Sequence, residues 1–382
     1  MSQGRMRWIA VLVLIFTGAG WASFASPEDQ VPEVPGGPPA QVQFQIVHSF
    51  GAAGDGIAPG GGMVMDSKGN LYGVTGAGGT QGGGGTVYEL SAGANGQWTE
   101  NILHSFPIKD PSDGFEPIGL VIDGAGNLYG TTQFGGDGQY CVGYLTCGTV
   151  YEVSPGANGE WTESILWNFC SLPDCADGGD PLVAPTLGPG GSLFGVAGLT
   201  AFQLTPGSGG WTLSALYTFC DETGCTPTSG LTLDAKGNLY GEGGIGQEVG
   251  DCLYQFGCGI VFALHQQPNR QWKQIVLWEF DKYGNNDGIG AEGGLTFHDG
   301  GLYGVTRAGG SNCVPIGGCG AVFELTRGPG NNIIEQVLWS FGGEGGAQGV
   351  TPNGGVAFNK QGDLFGVTGG VGRPGDMESS TA

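Results

Sequence analysis

The chain has 382 residues, of which 82 are glycine, and its formal net charge is −23. Hydrophobic residues make up 39% of the chain, so the composition excludes simple disorder and indicates many short strands joined by glycine-rich turns. The negative charge disfavours nucleic acids and anionic membranes as partners.

The N-terminus has the pattern of a secretory signal peptide. Arg5 and Arg7 precede an apolar run that begins at Trp8 and is too short to span a bilayer, and a cleavage site follows at Ala25. An uncleaved membrane anchor is the alternative. We expect a secreted protein, extracellular or at the cell surface, with the periplasm as a further compartment and no membrane span after cleavage. The predicted segments are a signal peptide (1–25), a proline-rich linker (26–40), a repeat domain (41–369) and a flexible tail (370–382).

A pentapeptide recurs through the rest of the chain. GNLYG or a close variant begins at residues 69, 126, 191, 237, 300 and 362. Each copy belongs to a unit of short apolar segments that are rich in β-branched and aromatic residues and bounded by turn formers, which is the pattern of strands. In one unit the four segments are GLVID (119–123), NLYGTT (127–132), GTVYEV (148–153) and WTESILWNF (161–169).

The pentapeptide also carries turn signals. In three units the first two strands are joined by Asp-x-x-Gly-Asn, in which the aspartate bonds the backbone and the glycine (Gly69, Gly126 or Gly237) takes a positive φ. In the fifth unit Asp299-Gly300 predicts a two-residue hairpin turn instead. The last residue of the pentapeptide is glycine in all six copies, which indicates the close approach of a neighbouring group.

Four strands per unit, repeated around an axis, predict an all-β fold: a six-bladed β-propeller of four-stranded antiparallel blades. The segments supply six first, six second, five third and six fourth strands. The first strand in the chain, 42–50, is of the fourth type, and we expect it to close the last blade. That blade is predicted to be incomplete because 369–382 has no apolar run; truncation of a longer chain is the alternative.

The ten cysteines fall into five close pairs. In an exported chain this pattern predicts five local disulfides that each pin a glycine-rich loop, whereas zinc sites usually have Cys-x-x-Cys spacing. Spacing leaves cross-pairing between these loops open. The predicted pairs are Cys141–Cys147, Cys170–Cys175, Cys220–Cys225, Cys252–Cys258 and Cys313–Cys319.

The recurring order of GNLYGTT, GTVYEL and WTExxLxxF resembles the GloVer (Gloeo/Verruco) tandem repeat of secreted bacterial proteins, over 41–369. The hairpin of the first two strands is also similar to the unit of NHL-type propellers. The resemblance implies an exported bacterial propeller and supplies no catalytic residues. Proteins with this repeat often carry C-terminal surface anchors, but this sequence ends in DMESSTA, without an apolar anchor helix or a sorting motif.

Aspartates in the loops before the first strands are the candidate binding residues. We expect these loops to gather near one face of the propeller, around its axis, where carboxylates can bind Ca²⁺ or a sugar. The alternative is that Asp-Gly pairs only form turns there. The candidate residues are Asp55, Asp113, Asp180 and Asp287; no other metal or cofactor is predicted.

Two of the four histidines occupy one repeated position. His48 and His104 stand in the slot that holds large rings in the other units, such as Trp167 and Trp278, so the pattern favours packing over a ligand role. Four scattered histidines give no basis for a Ser-His-Asp triad, and we predict no catalytic residue.

These observations favour a secreted, monomeric, non-enzymatic binding or surface module for an extracellular glycan or protein. The alternative is an extracellular hydrolase, lyase or lactonase with a metal site near the propeller axis, which requires several acidic or histidine side chains in one pocket. A purely structural envelope protein is a third possibility.

Overall fold

The computed structural model describes residues 48–52, 54–93, 97–141, 147–219, 227–244, 259–280, 287–310, 319–341, 350–352, 354–358, 362, 364–366 and 368–370. Within these ranges the fold is all-β, with four short 3₁₀ turns and no α-helix. Accordingly, no helix in the described part of the chain has the length and hydropathy to span a membrane. The predicted signal peptide, linker and tail all lie outside these ranges.

Five of the repeat units fold as four-stranded antiparallel blades in which strands adjacent in the chain are adjacent in the sheet. Blade 1 consists of β1 (Gly56–Met65), β2 (Leu71–Gly78), β3 (Thr86–Ala92) and β4 (Trp98–Ser105). Blade 2 consists of β5 (Phe115–Ile122), β6 (Leu128–Phe134), β7 (Thr149–Pro155) and β8 (Trp161–Asn168). Blade 3 consists of β9 (Thr186–Leu187), β10 (Leu193–Ala197), β11 (Thr200–Gly207) and β12 (Gly210–Thr218).

The next two blades repeat this order. Blade 4 consists of β13 (Thr232–Leu233), β14 (Leu239–Gly243), β15 (Ile260–Gln266) and β16 (Trp272–Glu279). In blade 5 the first strand is split into β17 (Ile289–Ala291) and β18 (Thr296–His298), and β19 (Gly301–Ala308), β20 (Ala321–Arg327) and β21 (Ile333–Ser340) follow. Short 3₁₀ turns stand at Pro111–Asp113, Pro173–Cys175, Pro189–Gly191 and Pro329–Asn331.

The prediction of six blades is wrong: the described structure has five. The sixth unit forms only two short ladders, in which β22 (Val350–Pro352) pairs with β25 (Thr368–Gly370) and β23 (Ala357–Phe358) pairs with β24 (Leu364–Phe365). Within the described residues this unit contributes only these two strand pairs, and so little paired sheet does not make a four-stranded blade. Of the predicted closing strand, 42–47 lies outside the described residues and 48–50 is not in a strand.

The pentapeptide turn forms as predicted. Asp66 Oδ1 accepts the backbone N–H of Lys68 at 2.8 Å and of Asn70 at 2.9 Å, while Gly69 has a φ of 90°. The same arrangement recurs at Asp123 and Asp234. In blade 5, where His298 pairs directly with Gly301, the two-residue turn at 299–300 is confirmed.

The last glycine of the pentapeptide lies beneath an aromatic ring of the third strand. A Cβ on Gly73 would stand 2.3 Å from Tyr88 Oη, and Gly130 relates in the same way to Tyr151. A Cβ does not fit in that space in the five complete blades, which explains the glycine there, whereas a Cβ on Gly366 in the sixth unit would make only an ordinary contact at 3.6 Å. The expected close neighbour is therefore a ring of the same blade. The rings are Tyr88, Tyr151, Phe202, Phe262 and Phe323.

Each of these rings also packs against a phenylalanine that follows the fourth strand of the preceding unit. Phe106 lies with its ring centroid 5.1 Å from that of Tyr151, and both side chains are fully buried. Burial of a phenylalanine contributes roughly 2–3 kcal/mol, so these contacts are a main source of cohesion between blades. Phe50 packs on Tyr88 in the same way, which places the start of the described chain where a preceding fourth strand would end. The other pairs are Phe169–Phe202, Phe219–Phe262 and Phe280–Phe323.

Two of the predicted local disulfides are present, Cys141–Cys147 and Cys170–Cys175. Cys319 is also disulfide-bonded. The remaining predicted members lie outside the described residues: Cys220, Cys225, Cys252, Cys258 and Cys313.

Candidate functional site

The predicted aspartates lie at junctions between consecutive units. Asp55 immediately precedes β1, Asp113 lies two residues before β5, and Asp287 lies two residues before β17. Each is grouped with side chains from the two units that meet at its junction. Within the described ranges, no three of the predicted aspartates share one group of metal-ligand size.

Asp177, and not Asp180, is the repeat equivalent of these residues in the loop between β8 and β9. Asp177 is fully buried, and its carboxylate accepts hydrogen bonds from Trp167 Nε1 at 3.0 Å and from the backbone N–H of Ser171 at 2.9 Å. Asp180 has a positive φ of 54°, and its buried Oδ1 has no hydrogen-bond partner among the described residues. The signal for the equivalence is the following glycine: Asp177 is followed by Gly178 and Asp180 by Pro181.

The first junction joins His48, Asp55 and Glu100. His48 Nε2 lies 3.4 Å from Asp55 Oδ2 and 3.6 Å from Glu100 Oε2. The imidazole packs edge-on against Phe50, with ring centroids 4.5 Å apart, which fixes its orientation. The side chains of His48, Asp55 and Glu100 are 21%, 6% and 15% exposed, so the group lies just beneath the surface.

The two carboxyl groups of this junction have different ionisation. Burial raises the pKa of Glu100 to about 7, and the neighbouring Asp55 adds to the shift. Burial also acts to raise the pKa of Asp55, but hydrogen bonds from Glu100 and from the backbone N–H groups of Gly51 and Gly56 outweigh it, so the pKa of Asp55 is lowered. At neutral pH Asp55 is therefore a carboxylate, and Glu100 is poised to hold or release a proton.

The second junction repeats the first with His104, Asp113 and Glu163. His104 Nε2 lies 3.1 Å from Asp113 Oδ2, within hydrogen-bond distance, and its ring packs on Phe106 at 4.5 Å. One potential ligand atom from each of the three residues lies within 4.8 Å of the other two, as in the first junction. Burial raises the pKa of Glu163 to about 8, with Asp113 adding to the shift.

Other junctions carry tryptophan in place of histidine. Trp278 Nε1 donates a hydrogen bond to Asp287 Oδ2 at 2.8 Å, and burial followed by the charge of Asp287 raises the pKa of Glu335 to about 7. The sequence pattern favours packing over a ligand role for His48 and His104, and both imidazoles do pack edge-on against a phenylalanine. The side chain at this position also contacts the junction aspartate, whether it is histidine or tryptophan.

A pocket of about 590 Å³ opens beside the second junction. β4 and the loop between β2 and β3 both line it, and Thr80 Oγ1 of that loop lies 3.3 Å from Ser105 Oγ of β4. The pocket is lined by residues with hydroxyl, amide, imidazole and carboxylate groups and by apolar side chains. The lining residues are Thr80, Gln81, Ile102, Leu103, His104, Ser105, Pro107 and Asp113.

A sequence model of the Gloeobacter/Verrucomicrobia repeat matches residues 37–243, which is more than half of the chain. The chain belongs to the Gloeobacter/Verrucomicrobia repeat family. This confirms the family that the pentapeptide units resemble. No curated protein matches the sequence.

Solved structures similar to this Gloeobacter/Verrucomicrobia repeat protein are remote. They include a puromycin-hydrolysing peptidase from Mycobacterium tuberculosis, with 12% identity and a TM-score of 0.42 over 79% of this chain and 41% of that one. A GH32 β-fructofuranosidase from Bombyx mori gives 16% identity and a TM-score of 0.37 over 74% of this chain and 62% of that one. An α-L-arabinanase from Cellvibrio cellulosa, complexed with arabinohexaose, gives 10% and 0.35 over 80% of this chain and 93% of that one. The chain thus spans less than two thirds of the first two, and these similarities carry no argument about its activity.

Sequence reasoning missed the glutamates of this Gloeobacter/Verrucomicrobia repeat protein. Glu100 and Glu163 occupy the third position of the fourth strand, where the alternation of exposed and half-buried side chains turns them inward. An acidic residue on the inward side of an alternating strand was the available signal. The same position holds Leu213 in blade 3 and Gln274 in blade 4, so the acidic group belongs to particular junctions.

Proposed function

We propose that this protein is a non-enzymatic binding module, and that the pocket beside His104 takes a neutral, hydroxyl-rich ligand, an extracellular glycan. The observation that carries the proposal is the mixture of groups around the pocket of about 590 Å³. Its volume is within the range of small-molecule sites, which combine apolar surface with a few placed polar groups.

The polar groups of the pocket match the requirements of sugar hydroxyls. Thr80, Gln81 and Ser105 both donate and accept hydrogen bonds, and Asp113 accepts them. The carbon surfaces of Ile102 and Pro107 provide an apolar patch for the C–H face of a sugar ring. The net charge of −23 disfavours an anionic ligand, so neutral glycans are preferred.

The hydrolase alternative would use the paired carboxyl groups of the second junction. Glu163, with its pKa raised to about 8, resembles a general acid, and Asp113 lies in the pocket. The presence of the same Asp–Glu pair at the first junction, and of Asp287 with Glu335 in a junction that holds tryptophan, favours a role in blade packing over a unique catalytic pair.

The test is a glycan array followed by calorimetric titration of the best neutral ligand. Gln81→Ala and Thr80→Val are expected to weaken binding roughly tenfold each, because each removes one hydrogen-bonding group worth about 1 kcal/mol or slightly more. Gln97→Ala is the matched control, since Gln97 is exposed immediately before β4 and does not line the pocket. No binding to any glycan, or equal affinity in the pocket variants, would contradict the proposal. Cleavage of the bound glycan would support the hydrolase instead.

A further inference from the structure

We infer that the two His–Asp–Glu junctions are binding sites for a divalent transition metal, zinc being the best fit, and that the metal clamps consecutive units of the propeller together. The sites are His48, Asp55 and Glu100 at the first junction and His104, Asp113 and Glu163 at the second. The inference does not rest on the glycan proposal, because it needs no organic ligand, although His104 and Asp113 of the second junction also line the pocket.

The distances at the first junction fit a metal site better than a hydrogen-bonded one. The 3.4 Å and 3.6 Å separations of His48 Nε2 from Asp55 and Glu100 exceed ordinary N–H···O distances. Ligand atoms at about 2.1 Å from a tetrahedral zinc ion lie about 3.4 Å from one another. Within the described structure, His48 Nε2 and Glu100 Oε1 are buried without a hydrogen-bond partner. A cation between the three side chains would satisfy these groups.

Further contacts orient the proposed ligands of the first junction, as neighbouring groups usually orient metal ligands. Asp55 Oδ2 accepts the Gly51 N–H at 2.9 Å, and Asp55 Oδ1 accepts the Gly56 N–H at 2.6 Å. The edge-on contact with Phe50 fixes the imidazole of His48. Imidazole nitrogen with carboxylate oxygen is a donor set that zinc accepts and that leaves a fourth position for water.

The chain contains its own comparison. At the junction of Trp278, Asp287 and Glu335 the two carboxyl groups are kept, but the indole N–H can only donate a hydrogen bond and has no lone pair for a metal. The histidine positions therefore differ from this tryptophan position in one property that matters for metal binding. Replacing the histidine of a proposed site by tryptophan therefore gives the same combination of residues as the junction of Trp278, Asp287 and Glu335.

The location of the sites predicts what the metal does. At the first junction His48 lies before the start of blade 1, whereas Glu100 lies in β4. At the second, His104 lies in β4 and Glu163 in β8. Each metal would thus bridge two consecutive units, and binding would stabilise the folded chain through mass action.

The experiment titrates zinc into protein that has been freed of metal with a chelator and kept without reductant, so that the cysteines contribute no thiolates. Calorimetry is expected to give two zinc ions per chain for the unmodified protein, one for His48→Trp, one for His104→Trp and none for the double variant. Trp278→His should add a third. Zinc should also raise the thermal unfolding midpoint of the unmodified protein and leave that of the double variant unchanged.

Circular dichroism of each variant without metal verifies the fold, which tryptophan at this position already supports in two junctions. Failure of the folded, unmodified protein to bind zinc would overturn the inference. The inference would also be overturned if His48→Trp and His104→Trp each bound as many zinc ions per chain as the unmodified protein. Loss of one zinc ion in His48→Trp with unchanged glycan affinity would separate the two proposals, because His48 does not line the pocket.

Discussion

At the residue scale, the glycine that ends the pentapeptide has no room for a Cβ in any of the five complete blades. At Gly130 a Cβ would lie 2.3 Å from Tyr151 Oη and 2.8 Å from the carbonyl oxygen of Gly119, so both a rigid ring and a backbone atom stand in its way. The turn glycine Gly126 is constrained differently, by a φ of 91° with open space around it. One glycine is required for its conformation and the other for its lack of volume.

Gly130→Ala is therefore expected to lower the free energy of unfolding by about 3 kcal/mol, because overpacking forces the ring and the neighbouring strand apart. Gly124→Ala is the control: an added Cβ there meets nothing within 4 Å, and the change should leave stability unchanged or slightly increased. Urea denaturation of the two variants measures the difference. Equal stability of both would show that the ring moves aside without cost.

At the element scale, cohesion depends on the phenylalanine that follows each fourth strand. Phe106 is fully buried against Tyr151, so it joins blade 1 to blade 2, and Phe169 joins blade 2 to blade 3 in the same way. The strands themselves are short, so the contact between blades supplies burial that one blade alone lacks.

Phe106→Ala should cost about 3–5 kcal/mol of unfolding free energy through lost burial and the cavity that remains. Ile108→Ala, two residues further along the chain, removes an apolar side chain that is 48% exposed and should cost less than about 1 kcal/mol. Denaturant titration monitored by tryptophan fluorescence distinguishes them. A cost for Phe106→Ala as small as that of the control would mean that the blades are held together elsewhere.

Much of this could be predicted from the sequence, because strands and turns are local. The Asp66 turn, the positive φ of Gly69 and the hairpin at Asp299 all follow from residues within one segment. The junction could not be predicted in full, because His48 and Glu100 are far apart in the chain and meet only when two units dock. The number of blades was wrong for a related reason: a matching segment forms a blade only when enough strands pair with it.

At the scale of the whole molecule, burial of glutamates gives the fold an unusual dependence on pH. Glu242 is completely buried in β14, accepts the Gly294 N–H at 2.9 Å and has its pKa raised by burial to about 7. A carboxyl whose folded pKa is above its unfolded value stabilises the fold at low pH and loses this contribution as the pH rises through the folded pKa. The glutamates that share this direction are Glu100, Glu163 and Glu335.

The turn aspartates act in the opposite direction. Burial tends to raise the pKa of Asp66, Asp123 and Asp234, but hydrogen bonds from the following asparagine and nearby backbone N–H groups outweigh it and lower each pKa. Their contribution is present above the unfolded value of 3.8 and is lost as the pH falls below it. The aspartates therefore lower the stability of the fold at acidic pH, and the buried glutamates lower it at neutral and alkaline pH.

We therefore expect maximal stability near pH 4 to 5, with the unfolding free energy falling as the pH rises through 7 to 8. In Glu242→Gln the decrease of the unfolding free energy between low and high pH should be smaller by about 3 kcal/mol. The reason is that the pKa of Glu242 rises from 4.5 to about 7, and one pKa unit corresponds to about 1.4 kcal/mol for a buried group. Urea denaturation at pH 4.5 and pH 8.5, in the presence of a metal chelator, measures both effects. An unfolding free energy that rises between these two pH values would contradict the expectation.

The contact of one ring with a glycine of its own blade and with a phenylalanine of the preceding unit has a consequence for how such proteins change over evolution. The docking surface that a unit offers is built from the parts that every complete unit shares: Gly130 and Tyr151 in one blade match Gly195 and Phe202 in the next. A unit gained or lost by recombination between repeats would meet a compatible neighbour on either side. Gene-level duplication can thus vary the number of blades, while the junction groups and the loops diverge to give each copy its own chemistry.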